Sequence, residues 1–389
     1  MRFLARTGLG CGSWLAAALA LPAILLSINP SAALADQQQG VRGAVFVQTN
    51  DIDENAILAY ARSADGGLTL VGRYPTSGVG GTEPGAPTDA LSSQGSLTYD
   101  RHHHLLYAVN AGSDSVSVFD VQQTRLRLIQ VIGSGGQFPS SVAVHHDLVY
   151  VMNAGGDGSI NGYRVDGDRL TPIAGSERSL GLDNTTPPFF LGSPGQIGIT
   201  ANGSQLLVSA KGNGYVAAFA LGPDGQPAAA PVNTQTGPVP FGFVLDRRGR
   251  VVLTDASGSA NTYHVLPSGA LTPTGTAAAN GQAATCWITE ARGYFYATNT
   301  ASNTITGYAE TPHGQLSLLN ASGVSASTDG GPIDLAVSPD GSQLYELNGL
   351  AGDLGVYAVA PDGTLTQTET ISGLPTYNGA NGMEGIAVT

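Results

Sequence analysis

The residues with the most chemical interest in this chain stand at one recurring position. Seven short apolar segments end in a polar residue at Asn50, Asn110, Asn153, Lys211, Asp255, Asn299 and Asn348. Five are Asn, whose side chain bonds the backbone of a following loop and tolerates left-handed conformations, so the series reads first as scaffold. Lys211 and Asp255 break it at adjacent copies, and a broken repeat is where function enters. Together they would hold an anionic group and polarise a water or hydroxyl; alternatively they form a salt bridge. A second series stands where each first strand begins: Gln94, Ser140, Gln196, Phe241, Gln282, Asp334 and Glu384.

Other clusters have simpler readings. His102-His103-His104 lies in a turn, and three adjacent imidazoles cannot all reach one ion, so no metal is assigned. Asp51, Asp53 and Glu54 offer alternating oxygens, but the spacing of a calcium loop is incomplete and a solvated acidic loop is preferred. Cys286 has no activating base or cation beside it in sequence and reads as an inert small residue. Trp287 occupies a column otherwise filled by Leu, Val, Ile and Phe, so packing explains it. No Ser-His-Asp signature, phosphate loop or zinc motif occurs, and no cofactor is expected.

The elements that must position these residues are short strands. First strands read GSLTYD, SSVAVH, GQIGIT, FGFVLD, TCWITE, IDLAVS and EGIAVT; second strands run from AVFVQTN (44–50) to LYELNG (344–349). Third strands carry an aromatic residue at Tyr60, Phe119, Tyr163, Phe219, Tyr263, Tyr308 and Tyr357. Turns such as Ser338-Pro339-Asp340-Gly341 and Gly222-Pro223-Asp224-Gly225 separate them, Pro fixing φ and Gly supplying positive φ. Seven copies in register predict an all-β, seven-bladed β-propeller with four-stranded antiparallel blades. The segment at Ala44 lacks a preceding first strand and EGIAVT lacks a following blade. The C-terminal strand is therefore expected to close the first blade, leaving no exposed sheet edge. The polar series and the first-strand starts then share one face around the channel. There Asn50, Asn110, Asn153, Gln196, Asp255, Gln282, Asn299, Asp334 and Asn348 are the candidates for binding a small molecule.

Residues 1–35 read as a cleavable signal peptide: Arg2 and Arg6, an apolar run from Trp14 to Ile28, then Ala33-Leu34-Ala35 before Asp36. Residues 36–389 are then a single propeller domain, secreted or periplasmic. Loss of Arg2 and Arg6 without any acid moves the formal charge from −13 to −15, which repels nucleic acid and anionic lipid. A monomer without membrane association is expected. Cys286 alone remains of two cysteines, so no intramolecular disulfide is possible.

The blades resemble those of the bacterial lactonase-family propellers, the group that includes seven-bladed 6-phosphogluconolactonases and fungal carboxymuconate-cyclising enzymes. LLYAVNAGSDSVSVFDV (105–121), PFGFVLDRRGR (240–250), GQAATCWIT (281–289) and GPIDLAVSPDGSQLY (331–345) carry the resemblance. It implies hydrolysis or formation of a lactone of a small organic or sugar acid at the channel mouth. It also implies His, Arg and Glu side chains there. This chain departs from that pattern: Phe138-Pro139-Ser140 stands where such proteins often carry His-Pro-His, and no His occupies a first-strand start. Glu384 as acid or base and Lys211 as oxyanion stabiliser are left to fill the catalytic roles. The competing expectation is an exported propeller without catalysis that binds a small molecule or a protein partner.

Overall fold

The seven segments fold as seven antiparallel sheets arranged in a ring in a computed structural model, which describes residues 40–182, 187 and 189–389. The signal-peptide reading falls outside the described residues. Blade 1 is built from Val41–Gln48, Ala56–Ser63 and Leu68–Pro75, with the C-terminal Glu384–Val388 as its inner strand. The inner strands of blades 2 to 7 are Leu97–Asp100, Pro139–His145, Pro194–Ile199, Pro240–Leu245, Thr285–Ala291 and Pro332–Val337. Each blade places second, third and outer strands successively away from the axis. The outer strand departs from the expected single run in blades 3, 5 and 6. There it is split, and the short pieces Arg178–Ser179, Ala278–Ala279 and Ala326–Ser327 pair with the third strand.

Ring closure follows the expected register. Val45 pairs with Val388, Phe46 with Ala387 and Val47 with Ile386, and the Thr389 amide donates to the Ala44 carbonyl at 2.9 Å. Ile386, Ala387 and Val388 are buried, so the last strand is part of the core as well as a latch.

The recurring aromatics fasten neighbouring blades. Tyr163 Oη donates to the Gly133 carbonyl of the preceding blade at 2.7 Å, and Tyr263 Oη does the same to Thr236 at 2.9 Å. Second-strand tyrosines reach the other way: Tyr296 Oη to Gly363 at 2.8 Å and Tyr345 Oη to Gly66 of blade 1 at 3.3 Å. Each phenol buries its ring between sheets and satisfies its hydroxyl on a backbone carbonyl of the neighbouring blade, which suits Tyr better than Phe.

Four inner strands begin with Pro, which has no amide to leave unpaired at a strand start. Immediately after, the register with the second strand slips by a bulge, as between Pro139 and Ser141 or Pro194 and Gln196. Blade 1 has the same irregularity where Glu384 and Ile386 face Gln48 and Val47 across Gly385. A bulge frees one residue from the ladder and re-aims its neighbours. Here it sets the side chains that face the axis.

Candidate functional site

The channel mouth is not open. The connection between the outer strand of blade 1, ending at Pro75, and the inner strand of blade 2, starting at Leu97, folds inward and seats on the mouth as a plug. Thr88 to Gln94 are all buried, with Ala90 and Leu91 completely so. The plug bonds to blades on every side of the ring. Gln94 copies a strand pairing with Ile288 of blade 6, Nε2 to its carbonyl at 2.8 Å and Oε1 from its amide at 3.1 Å. The Gln94 amide donates to Gly195 of blade 4 at 2.9 Å, and Ser93 Oγ to Ser140 of blade 3 at 2.8 Å. Trp287 Nε1 donates to the Ser93 carbonyl at 2.9 Å, which gives that indole a polar duty besides packing.

Beneath the plug lies a cluster of buried charge. Lys211, 1% exposed, donates from Nζ to the Ser92 carbonyl at 2.5 Å. Glu384, also 1% exposed, accepts the Leu91 amide on Oε1 at 3.0 Å. Asp89 belongs to the plug itself; its carboxylate accepts the amides of Leu91 and Ser93, each at 3.1 Å. Asp89 and Glu384 also hydrogen-bond to each other, which requires one proton between them. Burial first, and then the charge of Asp89, pushes Glu384 well above the ordinary carboxylate range. Asp89 is raised by burial too, against the pull of its bond to Glu384 and the nearby Lys211 charge. Burial lowers Lys211, while Glu83, Asp89, Cys286 and Glu384 oppose that shift. The Cys286 thiol is driven far upward by burial and stays protonated.

This cluster borders a cavity of about 250 Å³ between the plug and blades 4 to 6. Its wall is apolar, formed by Phe190, Leu191, Val239, Phe241, Ala256 and Trp287, with Lys211, Asp89 and Cys286 also on the lining. Phe241 and Trp287 pack with ring centroids 4.8 Å apart, and Lys211 Nζ lies 5.4 Å from the Phe241 centroid. Lys211 and Asp89 therefore meet an apolar wall in one small space, while Glu384 bonds Asp89 from outside the lining.

The other expected residues lie elsewhere. Lys211 and Asp255 do not pair: Asp255 accepts the Val239 amide at 3.1 Å and the Ser257 amide at 2.9 Å, closing its own loop. The Asn series does not line the cavity, because its amides are spent on neighbouring strands and loops. Asn110 donates to Ser115 and Ser117, Asn153 to Ser134, Ser159 and Asn161, Asn299 to Thr304 and Thr306, and Asn348 to Glu346 and Asp353. Asn50 grips the start of the plug, bonding both the amide and the carbonyl of Gly81. Gln282 sits between blades 5 and 6, bonded to Asn280, Ser322 and Thr304. Asp51 accepts the Asp53 and Glu54 amides in a local turn, and Glu54 pairs with Arg73.

Gln196 and Asp334 face a different space. Below the plug, a funnel of about 410 Å³ runs within the ring, bounded by Gln94, Gln196 and Asp334 at one end and reaching Arg101. Gln196 bridges to the backbone of Phe243 in the next blade. Asp334 is buried at the funnel's edge and accepts the Leu335 amide at 2.9 Å; burial pushes its carboxyl up to about 7. The mouth was expected to be one site, and the plug divides it into two. Asp89 and Glu83 were missed because they lie in a Gly/Pro/Ser-rich connection without periodicity. Its length was the available signal, since long connections inside a compact domain usually have a function.

Residues 54–172 match the family model described as Lactonase, 7-bladed beta-propeller. No curated protein sequence matches the chain. Among solved structures, the periplasmic gluconolactonase of Pseudomonas aeruginosa superposes with a TM-score of 0.69 at 19% identity, covering 89% of this chain and 98% of that one. A Lactobacillus plantarum protein gives 0.68 at 17% identity, covering 89% and 99%. A candidate 6-phosphogluconolactonase of Bacteroides fragilis gives 0.66 at 16% identity, covering 85% and 95%. At these identities the likeness establishes the fold: a lactonase-like seven-bladed propeller.

Proposed function

We propose that this lactonase-like propeller is an exported monomer that takes a small cyclic ester into the plugged mouth and opens it by hydrolysis. The observation that carries the reading is the cavity of about 250 Å³ in which an apolar wall meets buried Lys211 and Asp89, the latter sharing a proton with Glu384 just outside the lining. The volume lies below the roughly 300–1,000 Å³ usual for drug-sized ligands and suits one five- or six-membered ring. The apolar wall favours the lactone of an organic acid with hydrocarbon substituents over a heavily hydroxylated one.

The chemistry follows from the charges. A carbonyl turned toward Lys211 Nζ would find a fixed positive charge where the tetrahedral oxyanion develops. The ionised member of the Asp89–Glu384 pair accepts a proton from the attacking water. That proton returns to the ring oxygen as the acyl–oxygen bond breaks, leaving a hydroxy acid. No inner-strand histidine is needed, because a carboxyl pair that shares one proton offers both an acid and a base. The signal-peptide reading supports a periplasmic or secreted location.

One observation favours a second reading, a propeller that binds a small molecule or a protein partner without turnover. Lys211 and Glu384 already bond the plug backbone. A panel of γ- and δ-lactones followed by proton release separates the two. Hydrolysis above background, abolished by Glu384→Gln with the fold intact, supports the enzyme; thermal stabilisation by a lactone without any turnover supports the binder. If the panel yields neither, the cavity is not a lactone site.

A further inference from the structure

Five of the chain's seven histidines, His102, His103, His104, His145 and His146, stand in or at the edge of two turns on adjacent blades. The turns join inner to second strands in blades 2 and 3. Sequence spacing assigned no ion to three adjacent imidazoles in one turn. It could not show that the neighbouring turn brings up Asp147 against His103.

We propose that His102, His103 and Asp147 form a binding site for one divalent transition-metal ion of the zinc class. Their ligand atoms all lie within 4.8 Å of one another. His103 Nε2 is 3.1 Å from Asp147 Oδ1. Zinc bonds nitrogen and oxygen at about 2.0–2.2 Å, so two ligands of a tetrahedral ion stand roughly 3.3 Å apart. His103 and Asp147 are therefore already at metal-ligand separation, and exposed His102 needs only a small swing to join them.

Behind the first ligands the support is in place. Asp100 Oδ2 holds His103 Nδ1 at 2.7 Å, the carboxylate–histidine arrangement that fixes the tautomer and aims Nε2 at an ion. Asp100 Oδ1 accepts the amides of His102 and His103 at 2.8 and 3.2 Å, so the same carboxylate sets the backbone of both ligands. Left-handed His104 and His146, with φ of 57° and 49°, close the two turns tightly enough to bring them together. The His102 ring meets His103 edge-on at 4.6 Å and His146 at 6.1 Å, and it makes no hydrogen bond to a described residue. It is an unspent donor. Two imidazoles with one carboxylate select zinc, cobalt, nickel or copper over calcium or magnesium. Three protein ligands leave a fourth position for water.

A protonated His103 bridging Asp100 and Asp147 as an ion pair is the competing account, and metal titration separates them. Untagged, chelator-stripped full-length protein is titrated with ZnCl₂ by calorimetry and with CoCl₂ by visible absorption. The proposal expects one saturable equivalent per chain and the intense visible bands of four-coordinate cobalt. Asp147→Ala and His102→Ala should each weaken binding at least tenfold, while His264→Ala leaves it unchanged. Asp147 is 61% exposed, so its variant retains the fold, which an unchanged metal-free melting temperature verifies. No saturable binding, or binding that survives both substitutions, overturns the proposal.

Discussion

Replacing Lys211 by Met tests the charge balance under the plug. Met fills most of the lysine's volume, so the change removes an ammonium and little packing. Two losses follow. The Ser92 carbonyl, buried with its donor at 2.5 Å, loses that partner at a cost of about 1–3 kcal/mol. In addition, the Asp89–Glu384 pair and nearby Glu83 lose the cation that offsets their charge. Such a cluster responds by taking up a proton. The sign follows from linkage: on folding, the variant would retain one proton more than the wild type, whose pair already shares one, so its stability falls more steeply than the wild type's as pH rises. Each pH unit costs about 1.4 kcal/mol per extra proton, so from pH 5.5 to 8 the destabilisation grows by roughly 3 kcal/mol. The total at pH 8 then reaches the 3–5 kcal/mol or somewhat more expected for breaking a buried ion cluster. Urea unfolding of a chain beginning at Asp36 reports this directly, because Trp287, on the cavity wall, is its sole tryptophan. A destabilisation equal at pH 5.5 and pH 8 would refute the account of the cluster.

Four further outcomes are expected. Asp334→Asn should lower stability at pH 4, where the neutral carboxyl is comfortable and its acceptors are needed. The deficit should shrink or reverse by pH 8, because the carboxyl raised to about 7 costs wild-type stability as pH rises from about 4 through 7; parallel curves for the two proteins would argue against it. Arg250 is 4% exposed and bonds Asp246 at 2.6 Å and Glu310 of the next blade at 2.8 Å, so Arg250→Met should cost about 3–5 kcal/mol in chemical denaturation. Deleting residues 384–389 removes an inner strand and should abolish cooperative unfolding; a truncated protein that melts like the parent would mean the latch is misassigned. In Gly80→Ala the new Cβ would stand 1.9 Å from the Asn50 carbonyl, so the plug should lift and limited proteolysis should cut first between residues 76 and 94.

The sequence made the ring legible and the mouth only partly so, for one physical reason. Strands that repeat announce themselves through short apolar runs, turn residues and the column of aromatics from Tyr60 to Tyr357. Even the split blade was readable, since EGIAVT could belong nowhere else. Lys211 was visible because it interrupts a column of Asn. Asp89 was invisible because its stretch, Pro87-Thr88-Asp89-Ala90-Leu91, has no counterpart in other blades to depart from. The fate of the Asn series was equally hidden: Asn110 and Asn299 could face a ligand or a neighbour's hydroxyl, and sequence does not distinguish them. Asp147 meets His103 only because blades 2 and 3 are adjacent, a relation carried by the whole ring.

The plug also bears on how the chain reaches this state. Its partners are far away in sequence: Leu91 meets Glu384 across 293 positions, and Gln94 meets Ile288 across 194. Local bonds of Asp89 and Asn50 shape the plug, but these distant partners seat it, and such long-range closures form slowly because the loop entropy is lost before the contacts exist. The plug therefore docks last, after blade 7 has returned the C-terminal strand to blade 1. Its amides become a clock for assembly. In pulse-labelled hydrogen exchange the Leu91 and Gln94 amides should gain protection after those of the blade 2 and 3 hairpins. In the native protein they should open only when the ring itself opens.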